Sequence, residues 1–191
     1  MTAPAKRLKW LLPLLAAPLL AGCGTLRTMG QLEDGAGLEA GRMWDRWIAG
    51  GGDIAVATTW ERKVSPGITV ADIEQAFAQV AIERNIKAVG ELPLSRELEA
   101  RTGKPQQFLK VYSYCSPETA RRMVDFSPAM AAYLPCRLTV VERDDGLWIY
   151  TLNMDMMVKM GRKLPPGLKE EALRVRDTIH MMLERGAKGE F

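Results

Sequence analysis

Histidine and cysteine are scarce: the 191-residue chain has one histidine, His180, and three cysteines, Cys23, Cys115 and Cys136. That scarcity narrows the chemistry at once. A single imidazole cannot build a zinc site without carboxylate or thiol help. No Ser-His-Asp set, H-E-x-x-H, phosphate-binding glycine loop or C-x-x-C occurs. His180 stands beside an apolar helical stripe with Asp177 and Glu184 three and four residues away, the setting of a solvated side chain. Glu142 and Asp155 are carboxylates near a turn, with nothing to mark them as an acid/base pair. No catalytic residue, no metal set and no cofactor is therefore expected. Also lacking is an apolar run of about 20 residues, the length that spans a membrane. Trp10 to Leu20 is roughly half that, and Pro13 and Pro18 interrupt it.

What that short run does have is a setting. Lys6, Arg7 and Lys9 precede it and small residues follow, the layout of a secretory signal peptide over residues 1–22. Leu20-Ala21-Gly22-Cys23 then resembles the lipobox of bacterial lipoproteins, with cleavage between Gly22 and Cys23. The resemblance implies a covalent lipid on Cys23 as the new first residue. Two or more acyl chains give stable anchoring where one does not. With Gly24 rather than Asp next, it also implies a place in the bacterial cell envelope, on the outer membrane facing the periplasm. Losing Met1 to Gly22 removes Lys6, Arg7 and Lys9 and no acid, so 26 basic residues fall to 23, matching the 23 acidic ones. Without a basic excess, nucleic acid is not an expected partner.

From Cys23 to Gly52 glycine and polar residues dominate, which reads as a tether with a reach of roughly 30 Å. Within it Met43, Trp44, Trp47 and Ile48 cluster, either docked on the domain or touching a membrane interface. Residues 53–188 read as one domain. Ile54 to Lys63 is expected as a strand. Thr69 is placed to cap a helix, with Asp72 completing a capping box, and Val70, Ile73, Phe77 and Val80 give that helix one apolar face. Ile86 to Leu94 and Phe108 to Cys115 read as further strands. Ser116-Pro117 and Ser127-Pro128 each start a helix, since proline at the first position loses no helical bond. Asp145-Gly146 marks a hairpin between Arg137–Arg143 and Leu147–Asn153. A final helix from Pro166 to Gly186 carries the stripe Leu168, Ala172, Val175, Ile179 and Met182. The order β-α-β, β-α-α, β-β, α predicts a two-layer α+β fold, a mostly antiparallel sheet with helices on one face.

"YSYCSPETA" (Tyr112 to Ala120) and "LPCRLTVVERDDG" (Leu134 to Gly146) resemble the family known as domain of unknown function 302. Cys115, Pro117, Leu134, Pro135, Cys136, Val140, Glu142 and Gly146 fall on its pattern. Ser116 replaces the usual asparagine, and Met156 stands where members often carry proline. The resemblance implies a fold similar to the TATA-binding-protein type, without a nucleic-acid role, and implies no particular activity.

With Cys23 acylated, Cys115 and Cys136 are the remaining thiols. On strand periodicity each is expected on a core face, Cys115 with Leu109 and Val111, Cys136 with Leu138 and Val140. A disulfide, two inert thiols, a redox pair favoured by the helix start after Cys115, and a metal site all remain open. Met154, Met156, Met157 and Met160, with Met181 and Met182, suit either a core or Cu(I). The opposite strand face would then carry Phe108, Tyr112 and Tyr114, joined by Trp148, Tyr150 and Arg143 across the hairpin. Tyr112, Tyr114, Trp148, Tyr150 and Arg143 are thus the candidate binding face. The expected role is a membrane-anchored binding module with a protein partner or a second copy of itself. The alternative is thiol-redox or Cu(I) handling at Cys115 and Cys136.

Overall fold

The structure, a computed structural model, describes residue 28 and residues 30–191. Gly22, Cys23 and the signal segment lie outside the described residues. The helices in chain order are α1 (Ala36–Ala49), α2 (Ile54–Thr58), α3 (Val70–Glu83), α4 (Leu94–Thr102), α5 (Pro117–Phe126), α6 (Met154–Lys159) and α7 (Pro166–Lys188). A 3₁₀ stretch, Pro128–Tyr133, follows α5. The strands are β1 (Thr59–Lys63), β2 (Lys87–Leu92), β3 (Leu109–Cys115), β4 (Cys136–Arg143) and β5 (Gly146–Leu152). They form one antiparallel sheet in the order β1-β5-β4-β3-β2, covered on one side by α3 and α7: an α+β fold. Among the described residues no helix is long and apolar enough to cross a membrane.

Local chemistry explains the framework. Thr69 Oγ1 accepts the Asp72 N–H at 3.2 Å while Asp72 Oδ2 accepts the Thr69 N–H at 2.8 Å, so α3 begins on a full capping box. Its Ile73, Phe77 and Val80 are buried in one cluster with Ile179, Met182, Leu183 and Ala187 of α7 and with Leu138, Val140 and Ile149 of the sheet. At the hairpin Gly146 takes φ 114°, open to glycine and strained for other residues. The register sets Val141 opposite Trp148 and Thr139 opposite Tyr150. A tight turn at Asp145-Gly146 predicts Trp148 opposite Arg143 and Tyr150 opposite Val141; the observed register is shifted from this by two residues, which leaves every side chain on its expected side.

Three expectations are corrected. Ile54 to Thr58 is helix, not strand: Asp53 caps it by accepting the Ala55 N–H at 2.8 Å, and β1 begins at Thr59. The second strand ends at Leu92, because Pro93 opens α4, which stops at Gly103 with φ 65°. The tether, from Gln31 on, is folded onto the domain. Leu32 bridges Arg162, and buried Glu33 meets Lys169 Nζ at 2.6 Å and the Leu164 N–H at 3.2 Å. Buried Glu39 of α1 accepts from Asn153 Nδ2 at 2.8 Å. "RMWDRWI" is therefore part of a 14-residue helix.

Candidate functional site

One end of the sheet gathers the start of β1, the end of β3, the start of β4 and the end of β5. The chain leaves Cys115, forms α5 and the 3₁₀ stretch, and returns through Leu134-Pro135 to Cys136. That excursion, with α6 and the first half of α7, walls a partly open cavity of about 310 Å³. Apolar side chains dominate its lining: Val111, Ala120, Met123, Leu134, Leu152 and Met157 among them. The polar lining includes the charged Arg137 along with Cys115, Cys136, Thr139, Tyr150 and Thr151. A mostly apolar concavity with few polar tips is what small-molecule sites look like.

The two cysteines reach this cavity from different sides. Tyr114 pairs with Cys136, so those side chains share the helix-covered face and Cys115 turns to the other. The expectation that both point under the helices is corrected for Cys115. Both are free cysteines. Burial pushes the Cys136 thiol up to about 11, and Cys115 nearby adds to it. Burial, then the Glu118 carboxylate, raises the Cys115 thiol as well. At Cys115 burial and the Glu118 carboxylate thus outweigh any lowering by the helix start that follows. Ser116 takes the cap position there, yet its hydroxyl bonds Thr119 Oγ1 at 3.0 Å rather than a helix N–H.

The proposed aromatic face divides. Trp148, Tyr150 and Arg143 do share the open side. Trp148 and Tyr150 stack at 6.2 Å, Arg143 Nη1 donates to the Tyr150 hydroxyl at 2.9 Å, and its guanidinium lies 5.0 Å from the Trp148 ring. Lys63 Nζ sits 5.8 Å from the same ring. Tyr150 also lines the cavity, making the two continuous. Tyr112 and Tyr114 are corrected: both are buried on the helix side, edge-on to Phe77 at 5.4 and 6.3 Å. Their hydroxyl ends face a groove between α3 and β2, where Glu74 Oε1 receives both Tyr112 OH and Lys110 Nζ at 2.7 Å. Burial raises both phenols, that of Tyr114 to about 12, and carboxylates nearby add to it.

Of the methionines, Met123, Met130, Met154 and Met157 line the cavity, Met182 is fully buried and Met160 is exposed. Met123 and Met130 are additions that the sequence pattern did not single out. The signal was the pair of cysteines flanking an excursion that must return to the same sheet end. His180 is half-exposed, 3.5 Å from Glu184 and edge-on to Trp60. Among the described residues no group of three or more His, Cys, Asp or Glu side chains could hold a metal ion.

The fold and the sequence both have relatives. The crystal structure of an uncharacterized conserved protein DUF302 from Bacillus stearothermophilus superposes with a TM-score of 0.53 at 19% identity, over 67% of this chain and 97% of that one. No curated protein matches significantly. The family described as "Domain of unknown function DUF302" matches residues 60–186, from β1 through most of α7. With two-thirds of its length on that pattern, the chain belongs to the DUF302 family.

Proposed function

We propose that this is a lipid-anchored envelope protein whose domain binds a small, largely apolar molecule at the end of its sheet. The cavity of about 310 Å³ carries the reading, because its lining is apolar and the stacked Trp148 and Tyr150 extend it over open sheet. No acid, base or activated nucleophile converges there, so binding rather than turnover fits the residues present. Anchoring rests on the basic head, short apolar run and lipobox ending at Cys23.

Fluorescence titration of the mature protein with 1-aminoanthracene, a neutral aromatic probe, tests the binding. One saturable site is expected, lost when Met157→Trp fills the cavity. Absence of saturable binding to folded protein would overturn it. Mass spectrometry of native protein tests the anchor: diacylglycerol on Cys23 is expected, and a bare thiol there would refute it.

One observation favours a second reading. Cys115, Cys136, Met123, Met130, Met154 and Met157 all line the same cavity, a soft-donor set that suits Cu(I). Competition with bicinchoninate for Cu(I) checks it, and no withdrawal of the ion by the protein removes this alternative. A thiolate-driven redox role is disfavoured, since both thiols are raised rather than lowered.

A further inference from the structure

Helix α1 is fastened on one side and apolar on the other. Inward, Ala36 and Glu39 are buried, and Glu39 is held by Asn153. Outward, Leu38, Trp44 and Ile48 are 71%, 60% and 58% exposed; Trp44 and Ile48, four residues apart, are surface neighbours, and with Leu38 they span about 120° of the helix circumference, an arc that also holds exposed Asp45. Ile54 and Val56 of α2 extend the exposed apolar surface by 64% and 37% of their own area. The two helices are locked together at the turn between them, where Trp47 Nε1 donates to the Gly52 carbonyl at 2.6 Å. Trp44 and Trp47 pack at 5.1 Å. The result is a paddle with five exposed apolar side chains, and protein surfaces seldom expose a contiguous apolar group without a use.

We infer that this paddle lies in the interface of the membrane to which the chain is anchored, a step that rests on the lipid reading of Cys23. Position argues for lipid over a protein partner. Ala36 follows Cys23 by 13 residues, so the chain between them spans at most about 45 Å. An acylated Cys23 would keep the paddle within that distance of the bilayer. The composition fits too: aliphatic side chains bury in the acyl boundary, while the Trp44 ring, with its polar N–H, suits the headgroup level. Docked this way, the paddle sets α6, which packs on α1 and lines the cavity with Met154 and Met157, on the membrane side. The cavity would then meet molecules that travel in or along the bilayer.

The test uses the mature chain on vesicles of phosphatidylethanolamine and phosphatidylglycerol, some carrying brominated acyl chains. The chain is compared with the triple variant Leu38→Ser, Trp44→Ser, Ile48→Ser. All three side chains are exposed, so equal melting temperatures are expected. With Cys23 acylated, both proteins should float with the vesicles. Bromolipid should quench the tryptophan fluorescence of the parent at least about twofold more than that of the variant. Equal quenching of two floating proteins would overturn the inference and leave anchoring intact. If Cys23 proves bare, anchoring fails separately, and flotation then reads the paddle alone. A floating parent with a non-floating variant supports it, and two non-floating proteins overturn it. A parent that sediments as a dimer, with a monomeric variant and no quenching difference, would assign the patch to a second copy instead.

Discussion

Tyr114 and Cys136 stand directly opposite each other across β3 and β4, and that register sends the side chain of Cys115 to the other face of the sheet. Cysteine side chains that leave a sheet in opposite directions cannot be bridged without backbone movement. The chain unfolded without reductant should therefore show both Cys115 and Cys136 as free thiols. In the folded protein near about pH 8, Cys115 should react first, because burial pushes the Cys136 thiol up to about 11. Thiol titration with a chromogenic disulfide reads both, and no free thiol in the unfolded chain would refute the register argument.

Packing between α3 and α7 should leave no room at Gly186. A Cβ there would stand 2.6 Å from Phe77 Cε1 and 3.1 Å from Ile149 Cδ1. Both side chains are fully buried, so neither can swing aside. Overpacking costs about 1–3 kcal/mol, against roughly 1 kcal/mol of helix propensity gained from glycine to alanine. With a contact as close as 2.6 Å the packing effect wins, and Gly186→Ala should lower the unfolding free energy by up to about 2 kcal/mol in urea denaturation. At Gly37 of α1 nothing lies within 4 Å of the added carbon, so Gly37→Ala should stabilise by about 0.5–1 kcal/mol. Stabilisation at Gly186 would show a looser core than the distances imply.

Where the signal was local, it was legible. Thr69 with Asp72, proline after Ser116 and Ser127, Asp145-Gly146 and the stripe on α7 each marked an element that formed. Faces were harder. Alternation along β3 groups Leu109, Val111 and Cys115 against Tyr112 and Tyr114, but both sets are apolar enough to be a core. The tyrosines went inward because their rings pack on Phe77 while their hydroxyl ends reach the groove beside Glu74. Helix α4 had no apolar stripe to find, since its one buried residue is Ser95. For α1, Gly37 and Gly41 spoke for a tether. What holds the segment comes from far along the chain: Asn153 and Lys169, 114 and 136 residues from their partners Glu39 and Glu33. The cavity is assembled in the same way, from α5, α6, α7 and four strand ends, so no single stretch announces it.

The two kinds of tyrosine should respond differently to losing the hydroxyl. Tyr112 donates to a Glu74 carboxylate that also pairs with Lys110, and hydrogen bonds to charged groups contribute about 1.5–3 kcal/mol. Tyr112→Phe should therefore destabilise by about 1.5 kcal/mol in chemical denaturation. Tyr150 accepts from an exposed Arg143 on the open side, where exposed pairs contribute little. Tyr150→Phe should stay within about 0.5 kcal/mol of the parent. Equal losses would mean that the open-side contact is as shielded as the groove.

Acid should loosen the N-terminal segment before it unfolds the sheet. Burial of the Glu33 carboxylate opposes its charge, but Lys169 Nζ at 2.6 Å and the N–H groups of Asp34 and Leu164 outweigh that, bringing its pKa below the ordinary value of 4.5. A carboxyl whose folded pKa is depressed stabilises fully above its unfolded pKa, and that contribution disappears as pH falls through the folded one. Docking of residues 31–49 should thus hold at neutral pH and weaken progressively below about pH 4.5. Hydrogen exchange of the α1 amides between about pH 6 and 3 measures this, after correction for intrinsic rates. Glu33→Gln should raise α1 exchange at neutral pH and flatten its acid dependence, leaving the protection of β4 and β5 unchanged. Identical profiles for parent and variant would remove Glu33 from the role. The Lys169→Met variant supplies the complementary check. It leaves Glu33 with the two N–H bonds but no cation, so its carboxyl should titrate at higher pH and α1 should begin to open earlier on the way down.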